Sequence, residues 1–390
     1  MDLNEYFDPV SLDKSTELTP EQPGAFCKFT RVHTPDQPIP DTSGYNIGIL
    51  GVPEERGTYN IGTANAPDTI RNKLYQLNKI NNQIRVIDLG NLKQGTHPKD
   101  TYFGLKDVLQ ELIQKGTIPI IMGGSQELSY PVFKALTYLK SDVSLVSIDS
   151  RVDMHTAIND LHSLNFLRKL ISNKNDSLFN LTSLAYQQYF VDSSHLDELD
   201  KHMYDNMRIG QLRQNITEAE PILRDSSFVS IDIGAIRHSD APGHYNSSSN
   251  GLHGEEICQL ARYAGLSEKI SAFGIFEVNP RYDINNITSH LAAQIIWYFM
   301  QGFSSRKNES PELTRQGFKK FIIKLNTVEY DLIFYKSLQS DRWWMEIPVI
   351  GNETAEKNTT KIIACSYKDY QDACNQEIPD RWWKNFQRIN

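Results

Sequence analysis

Cysteine is scarce and scattered. The four cysteines, Cys27, Cys258, Cys365 and Cys374, form no CxxC pair and no ladder of short spacings. That excludes a disulfide framework and a zinc knuckle, and points to buried thiols in a reducing compartment. No run of about 18 apolar residues occurs, so no membrane-spanning segment is expected. The opening residues Met1-Asp-Leu-Asn-Glu-Tyr-Phe7 carry neither the basic nor the apolar stretch of a secretory signal, and the reading is a cytoplasmic protein. Basic charge is not in excess: 40 Lys and Arg stand against 48 Asp and Glu, a net charge of −8. Nucleic acid and anionic membranes are therefore not the expected partners. Neither GxGxxG nor GK[ST] is present, so Gly123-Gly124 reads as a tight turn and no nucleotide cofactor is expected.

What is present is an alternation. Residues 1–44 are polar and spotted with Pro20, Pro23, Pro35, Pro38 and Pro40, which discourages a long helix and suggests an irregular lead-in. From Tyr45, short apolar runs at 45–51, 85–90, 118–122, 143–149, 227–233 and 270–278 end in Gly, Asp or Glu. Stretches with apolar residues three and four apart lie between them at 66–77, 102–115, 126–139, 161–172, 254–264 and 286–302. Continuous apolar strands alternating with helices predict an α/β domain over 45–303, with a parallel sheet of six to eight strands covered on both faces. Beyond the polar link 304–311 the pattern changes to strand-like runs at 320–326, 331–336, 343–350 and 361–366. This predicts a small β-rich extension over 304–390. It holds four of the five tryptophans, two pairs of them in an Asp-Arg-Trp-Trp echo at 341–344 and 380–383. Anchoring of the extension to the main domain is the first reading of these rings, and a protein partner the second.

Ligands of open parallel sheets sit beyond the carboxyl ends of the strands. Those ends here are followed by Gly123-Gly124-Ser125-Gln126-Glu127, by Asp149-Ser-Arg151-Val-Asp153, by Asp232-Ile-Gly234 and by Glu277-Val-Asn-Pro280. A single strand-end Asp is as often a turn former or helix cap. Four acidic side chains on one rim make a site the better reading.

These segments are identified as those of the ureohydrolase family, which includes arginase, agmatinase and formimidoylglutamase. Gly57-Thr-Tyr-Asn60-Ile-Gly62 through Pro67 and Ile70-Arg71 resembles that family's glycine-rich segment, and Asp88-Leu-Gly90 its strand end. Gly123-Gly124, Asp149 with Asp153, Ser230-Ile-Asp232, Pro242-Gly243, Glu277, Asp283 and Thr288 follow in the family's order. Asn60-x-Gly62 leans toward the formimidoylglutamase branch. The resemblance implies a three-layer αβα fold and a site where two His and four Asp hold two manganese ions that activate water against a guanidinium or amidine carbon. It also implies His162 as proton shuttle and Glu277 as the carboxylate receiving the substrate's cationic group.

Three positions depart from that pattern. Gln126 and Arg151 stand where the two histidines belong, and Gly234 where the last aspartate belongs; Arg237-His238 replaces Asp-Pro. A guanidinium has donors only and stays protonated, so Arg151 is no metal ligand. Three carboxylates against one guanidinium leave −2 to be balanced. A divalent cation, Arg237, a proton on one Asp, or Arg151 paired with Asp149, Asp232 or Glu277 would each do so. Gln126, Asp149, Asp153 and Asp232 offer oxygen only, and the expectation is no cofactor or a single weak divalent cation, without a two-manganese cluster. Neighbouring Glu127, His155 or His238 could restore a ligand by a register shift. The leading expectation is thus a non-catalytic binding or assembly component, with an active C–N hydrolase of a guanidino or formimino compound as the alternative. Family members commonly form oligomers, so a homo-oligomer is a further expectation.

Overall fold

The computed structural model describes residues 1–10, 22–80, 83–172, 177–325, 330–350 and 360–390. Its main sheet contains β1 (Phe7–Asp8), β2 (Thr30–Val32), β3 (Ile47–Val52), β4 (Val86–Leu92), β5 (Ile118–Gly123), β6 (Val143–Ile148), β7 (Leu178–Tyr186), β8 (Asp205–Arg208), β9 (Phe228–Asp232) and β10 (Ala272–Phe276). The order is β1-β4-β3-β5-β10-β9-β6-β7-β8, with β2 also on β4, and only β1 runs antiparallel. Among the described residues the sheet has ten strands rather than six to eight. Two of the additional strands come from the lead-in, where Phe7 and residues 30–32 pair with β4 instead of staying irregular.

Alternate strand residues feed two cores, because neighbouring side chains point to opposite faces. Ile120 and Met122 pack with α1 (Ala66–Leu74) and, after it on the same face, α8 and α9 (Gly254–Gly265 and Ile287–Ser304). Ile121, Leu145 and Phe228 pack on the opposite face with α2 (Pro98–Gln114), α3 (Ser129–Leu139) and α4 (Phe166–Ser172). The domain is therefore three layers, αβα. The short helices α5 (Ser193–Lys201), α6 (Ile209–Gln214) and α7 (Ala219–Arg224) join β7, β8 and β9.

The extension is an antiparallel sheet of β11 (Phe318–Ile323), β12 (Leu332–Ser337), β13 (Trp343–Pro348) and β14 (Thr360–Cys365), followed by α10 (Tyr367–Cys374) and α11 (Asp380–Ile389). Residue 326 of the first expected run lies outside the described residues. Trp343 and Trp344 point to opposite faces of β13 and are both buried, as is Trp382 at 1% exposure, while Trp383 is 44% exposed. The extension docks by charge as well as area. Arg224 lies 4.3 Å over the Trp344 ring and donates to the Trp343 and Cys365 carbonyls at 2.9 and 3.2 Å. Lys361 meets Asp142 at 2.7 Å, and Lys384 and Arg388 both meet Asp205 at 3.4 Å. Asp142, Asp205 and Asp225 stand at the amino ends of β6, β8 and β9, so the extension covers the rim opposite the strand ends that carry the site.

Burial pushes the Asp205 carboxyl up, but Arg388 and Lys384 outweigh it and hold it below its usual range. A depressed carboxyl contributes stability above its unfolded pKa, near 3.9, that is lost as the pH falls through the lower folded value. Asp205→Asn is therefore expected to lower stability by about 1 kcal/mol at pH 7. The gap from the unmodified protein, read from urea midpoints, should narrow as the pH falls below 4. No helix among the described residues is long and apolar enough to cross a membrane.

Candidate active site

Strand order builds the site. β5, β10, β9 and β6 are neighbours and parallel, in register at Ile120–Phe273, Gly274–Ser230 and Ile231–Ile148. Their carboxyl ends therefore place Gln126, Glu277, Asp232 and Asp149 along one rim. Gly124 is required there, because any side chain on it would run into the Glu54 carbonyl.

Asp149, Asp153 and Asp232 come together with little to neutralise them. Asp149 Oδ1 accepts from the Arg151 N–H at 3.0 Å, and its side chain shares a hydrogen bond with Asp153. Asp232 Oδ1 accepts from the Gly234 N–H at 2.6 Å. Burial first, then the Asp149 charge, pushes the carboxyls of Asp153 and Asp232 well above their usual range; Asp149 is raised by burial. Among the described residues, two buried oxygens of Gln126 and Asp153, Oε1 and Oδ2, have no hydrogen-bond partner. Clustered carboxyls that favour protons, together with two orphaned acceptors, have the donor chemistry of a divalent-cation site. Among the described residues, no three His, Cys, Asp or Glu side chains form a ready-made metal cage.

Of the charge balances open from the sequence, direct pairing by Arg151 or Arg237 is not found among the described residues, although the Arg151 charge still draws all three carboxyls down. Arg151 lies 4.3 Å over the Phe190 ring, and among the described residues it forms no ion pair with Asp149, Asp232 or Glu277. Arg237 turns away to Asp240 at 2.8 Å. Nor does a register shift bring in a neighbour. Glu127 Oε1 accepts from Ser125 Oγ and Tyr102 OH, His155 is exposed beside His195, and His238 bonds Ser247. The space at Gly234 is taken by an imidazole instead: a Cβ there would lie 3.0 Å from Asp232 Oδ1 and 3.3 Å from His244 Nε2.

Glu277 is 2% exposed at the end of β10 and has φ +64°, a left-handed conformation that costs a β-carbon about 1 kcal/mol or more. The strain is held by hydrogen bonds. Oε1 accepts from the Gln126 N–H at 2.9 Å, Oε2 from Thr58 Oγ1 at 3.1 Å, and the backbone carbonyl from Asn60 Nδ2 at 2.8 Å. Asn60 Oδ1 in turn accepts from the Tyr245 N–H at 3.1 Å and Asn279 Nδ2 at 2.7 Å, tying three loops together. Burial is the largest influence on Glu277 and, with Asp149 nearby, leaves its carboxyl at about 7. His162 is buried at the start of a short turn, its ring 4.6 Å from Tyr59. Its Nδ1 accepts from the Leu164 N–H at 3.2 Å, which leaves the proton of the neutral ring on Nε2. Burial, then His155, keeps it below its usual pKa and so neutral at pH 7.

Thr58 and Asn279 are not singled out by the sequence, and Asn60 is noted there only for its Asn60-x-Gly62 spacing. Thr58 and Asn60 lie inside the glycine-rich segment, whose spacing was the available signal; nothing local to His244 announces that it faces Gly234.

The sequence profile of the arginase family matches residues 45–302. A formimidoylglutamase of Staphylococcus haemolyticus is 25% identical over 279 residues, 67% of this chain and 87% of that protein. Among solved structures, a Trypanosoma cruzi formiminoglutamase with Mn2+2 superposes with TM-score 0.64 at 21% identity, over 68% of this chain and 95% of that one. The formimidoylglutamase of Bacillus subtilis also gives 0.64, at 18% identity over 74% and 94%. The expectation of no cofactor or one weak cation is corrected by this comparison, since the fold is shared with a structure solved with Mn2+2. The profile match over two thirds of the chain, on an αβα fold that the solved structures share, leads to one assignment: the chain belongs to the arginase family.

Proposed function

We propose that the chain hydrolyses a C–N bond of a small formimino or guanidino compound, as its formimidoylglutamase relatives are named for doing. The observation that carries this reading is Glu277: a buried carboxylate fixed through both oxygens and backed by strained backbone, beside three clustered aspartates. A protonated amidine is the complementary guest, because its N–H groups meet a carboxylate by charge-assisted hydrogen bonds. Asp149, Asp153, Asp232 and Gln126 are the residues that would hold divalent manganese, which when bound supplies Lewis acidity and a nucleophilic water at neutral pH. Neutral His162 carries its proton on Nε2 and can donate a hydrogen bond from it to the departing nitrogen, whose added proton comes from the attacking water. Water oxygen then bonds to the amidine carbon, the carbon–nitrogen bond breaks, and the amine leaves with a proton.

Gly234 and Arg151, which offer no ligand atom, favour a second reading, a non-catalytic binding or assembly component. One assay separates the two. The purified full chain with Mn²⁺ is incubated with formimidoylglutamate, agmatine and arginine, and formamide and urea are measured. Turnover of one substrate is expected, formamide from formimidoylglutamate first. No product from any of them would leave the binding role.

A further inference from the structure

A second cavity lies at the same end of the sheet, on its outer side, between the first turns of α2 and α3. Lys99, Tyr102, Phe103 and Lys106 are spaced three and four apart and share one face of α2, while its other face, Leu105, Val108, Leu109 and Leu112, is committed to the core. Tyr130, Pro131 and Lys134 of α3 form the opposite wall, and Arg56 and Leu161 bound the cavity. Its volume is about 620 Å³, within the range of roughly 300–1,000 Å³ common to small-molecule sites. Phe103 is 62% exposed, more than burial in the helix pair would leave it.

The walls are aromatic and the charge is positive. Arg56 is neutralised by Glu54 at 2.5 Å, and Lys106 by Asp107 at 3.0 Å. Lys134 has no ion pair among the described residues; its ammonium lies 5.3 Å over the Tyr130 ring, and burial pushes its pKa down. Lys99 is likewise without an ion pair among the described residues, and Asp160 is the one acidic lining residue. A half-buried ammonium against aromatic faces calls for an anion carried on a flat apolar body. The structure assigns this groove as a binding site for a small aromatic carboxylate, with the ring against Tyr102, Phe103 and Tyr130 and the carboxylate at Lys134. The assignment is independent of the proposed hydrolysis. The groove is separated from Glu277 by the Tyr102 hydroxyl and the buried Glu127 to which it donates at 3.2 Å.

The test uses the full chain and two probes, indole-3-acetate and its neutral amide, titrated by calorimetry. One saturable equivalent of the acid is expected, with the amide at least ten-fold weaker. Lys134→Glu should weaken the acid at least ten-fold, and Phe103→Glu, at an exposed position that leaves the core intact, should do the same. Lys320→Glu on the C-terminal sheet should change nothing. Equal affinity for acid and amide, or unchanged affinity in both groove variants, would overturn the assignment. So would a native dimer that Phe103→Glu dissociates and that binds no acid, since the groove would then hold a second copy.

Discussion

Replacing Glu277 by glutamine is expected to raise KM for an amidine substrate by a hundred- to several-thousand-fold while leaving the fold in place. The size follows from burial. Removing one partner of a desolvated charge pair costs about 3–5 kcal/mol, and each 1.4 kcal/mol is ten-fold. Glutamine keeps the shape and can still accept from either Thr58 or the Gln126 N–H, so the loss belongs to the charge. Acidity adds a second readout. The fold raises this carboxyl to about 7, chiefly by burial, so below pH 7 the protonated form is the one the empty protein favours. The sign follows directly: the group's stabilising contribution is present at pH values below its unfolded pKa and is lost as the pH rises toward 7. Binding runs the other way, because only the carboxylate attracts a cation. The acid limb of kcat/KM, which reports the free enzyme, is therefore expected near pH 7 and should vanish in Glu277→Gln. A pH profile shared by both proteins would assign that limb to another group.

Arg71→Met is expected to cost about 3–5 kcal/mol of stability, a large share of the total for any domain. Arg71 and Asp88 are both fully buried. Arg71 Nε donates to Asp88 Oδ2 at 2.8 Å, and Tyr75 OH donates to the same oxygen at 2.8 Å. The guanidinium also meets Asp68 at 2.6 Å and Asn91 at 3.1 Å, so it stitches α1 to the end of β4. Methionine fills much of the volume and supplies none of the charge, leaving Asp88 as an uncompensated anion. The deficit is read from urea midpoints at pH 7. Asp88→Leu added to Arg71→Met should recover part of the loss, because the pair is then replaced by apolar packing. No recovery would mean that the arginine acts through Asp68 or Asn91 instead.

How much of this was legible in the sequence depends on what each signal measures. Apolar runs ending in Gly or Asp located β3 to β6, β9 and β10, since strands buried on both faces have no polar positions to blur them. β7 and β8 escaped that test. Asn180, Thr182 and Ser183 interrupt the first, and Asp205-Asn-Met-Arg208 at the sheet's edge has almost no apolar content. The strands of the lead-in exist only because β4 offers them an edge, a long-range fact that local pattern does not contain. The repeated Asp-Arg-Trp-Trp makes the same point: at 341–344 it turns through Asp341 at φ +60° into a strand, and at 380–383 it opens a helix after Pro379. In the site, the aspartates and Glu277 were readable because strand ends converge in a parallel sheet. The placement of Arg151 on Phe190 rather than on a carboxylate was not, because charge arithmetic counts groups without giving their directions.

The most direct measurement of the central claim is hydrolysis of formimidoylglutamate in H2¹⁸O by the full chain with Mn²⁺, with Glu277→Gln run in parallel. Attack of water at the amidine carbon predicts ¹⁸O in the released formamide, and release by the variant at least a hundred-fold slower at substrate well below KM. Formamide release that is equal in the two proteins, or absent from both while they remain folded, would contradict the account.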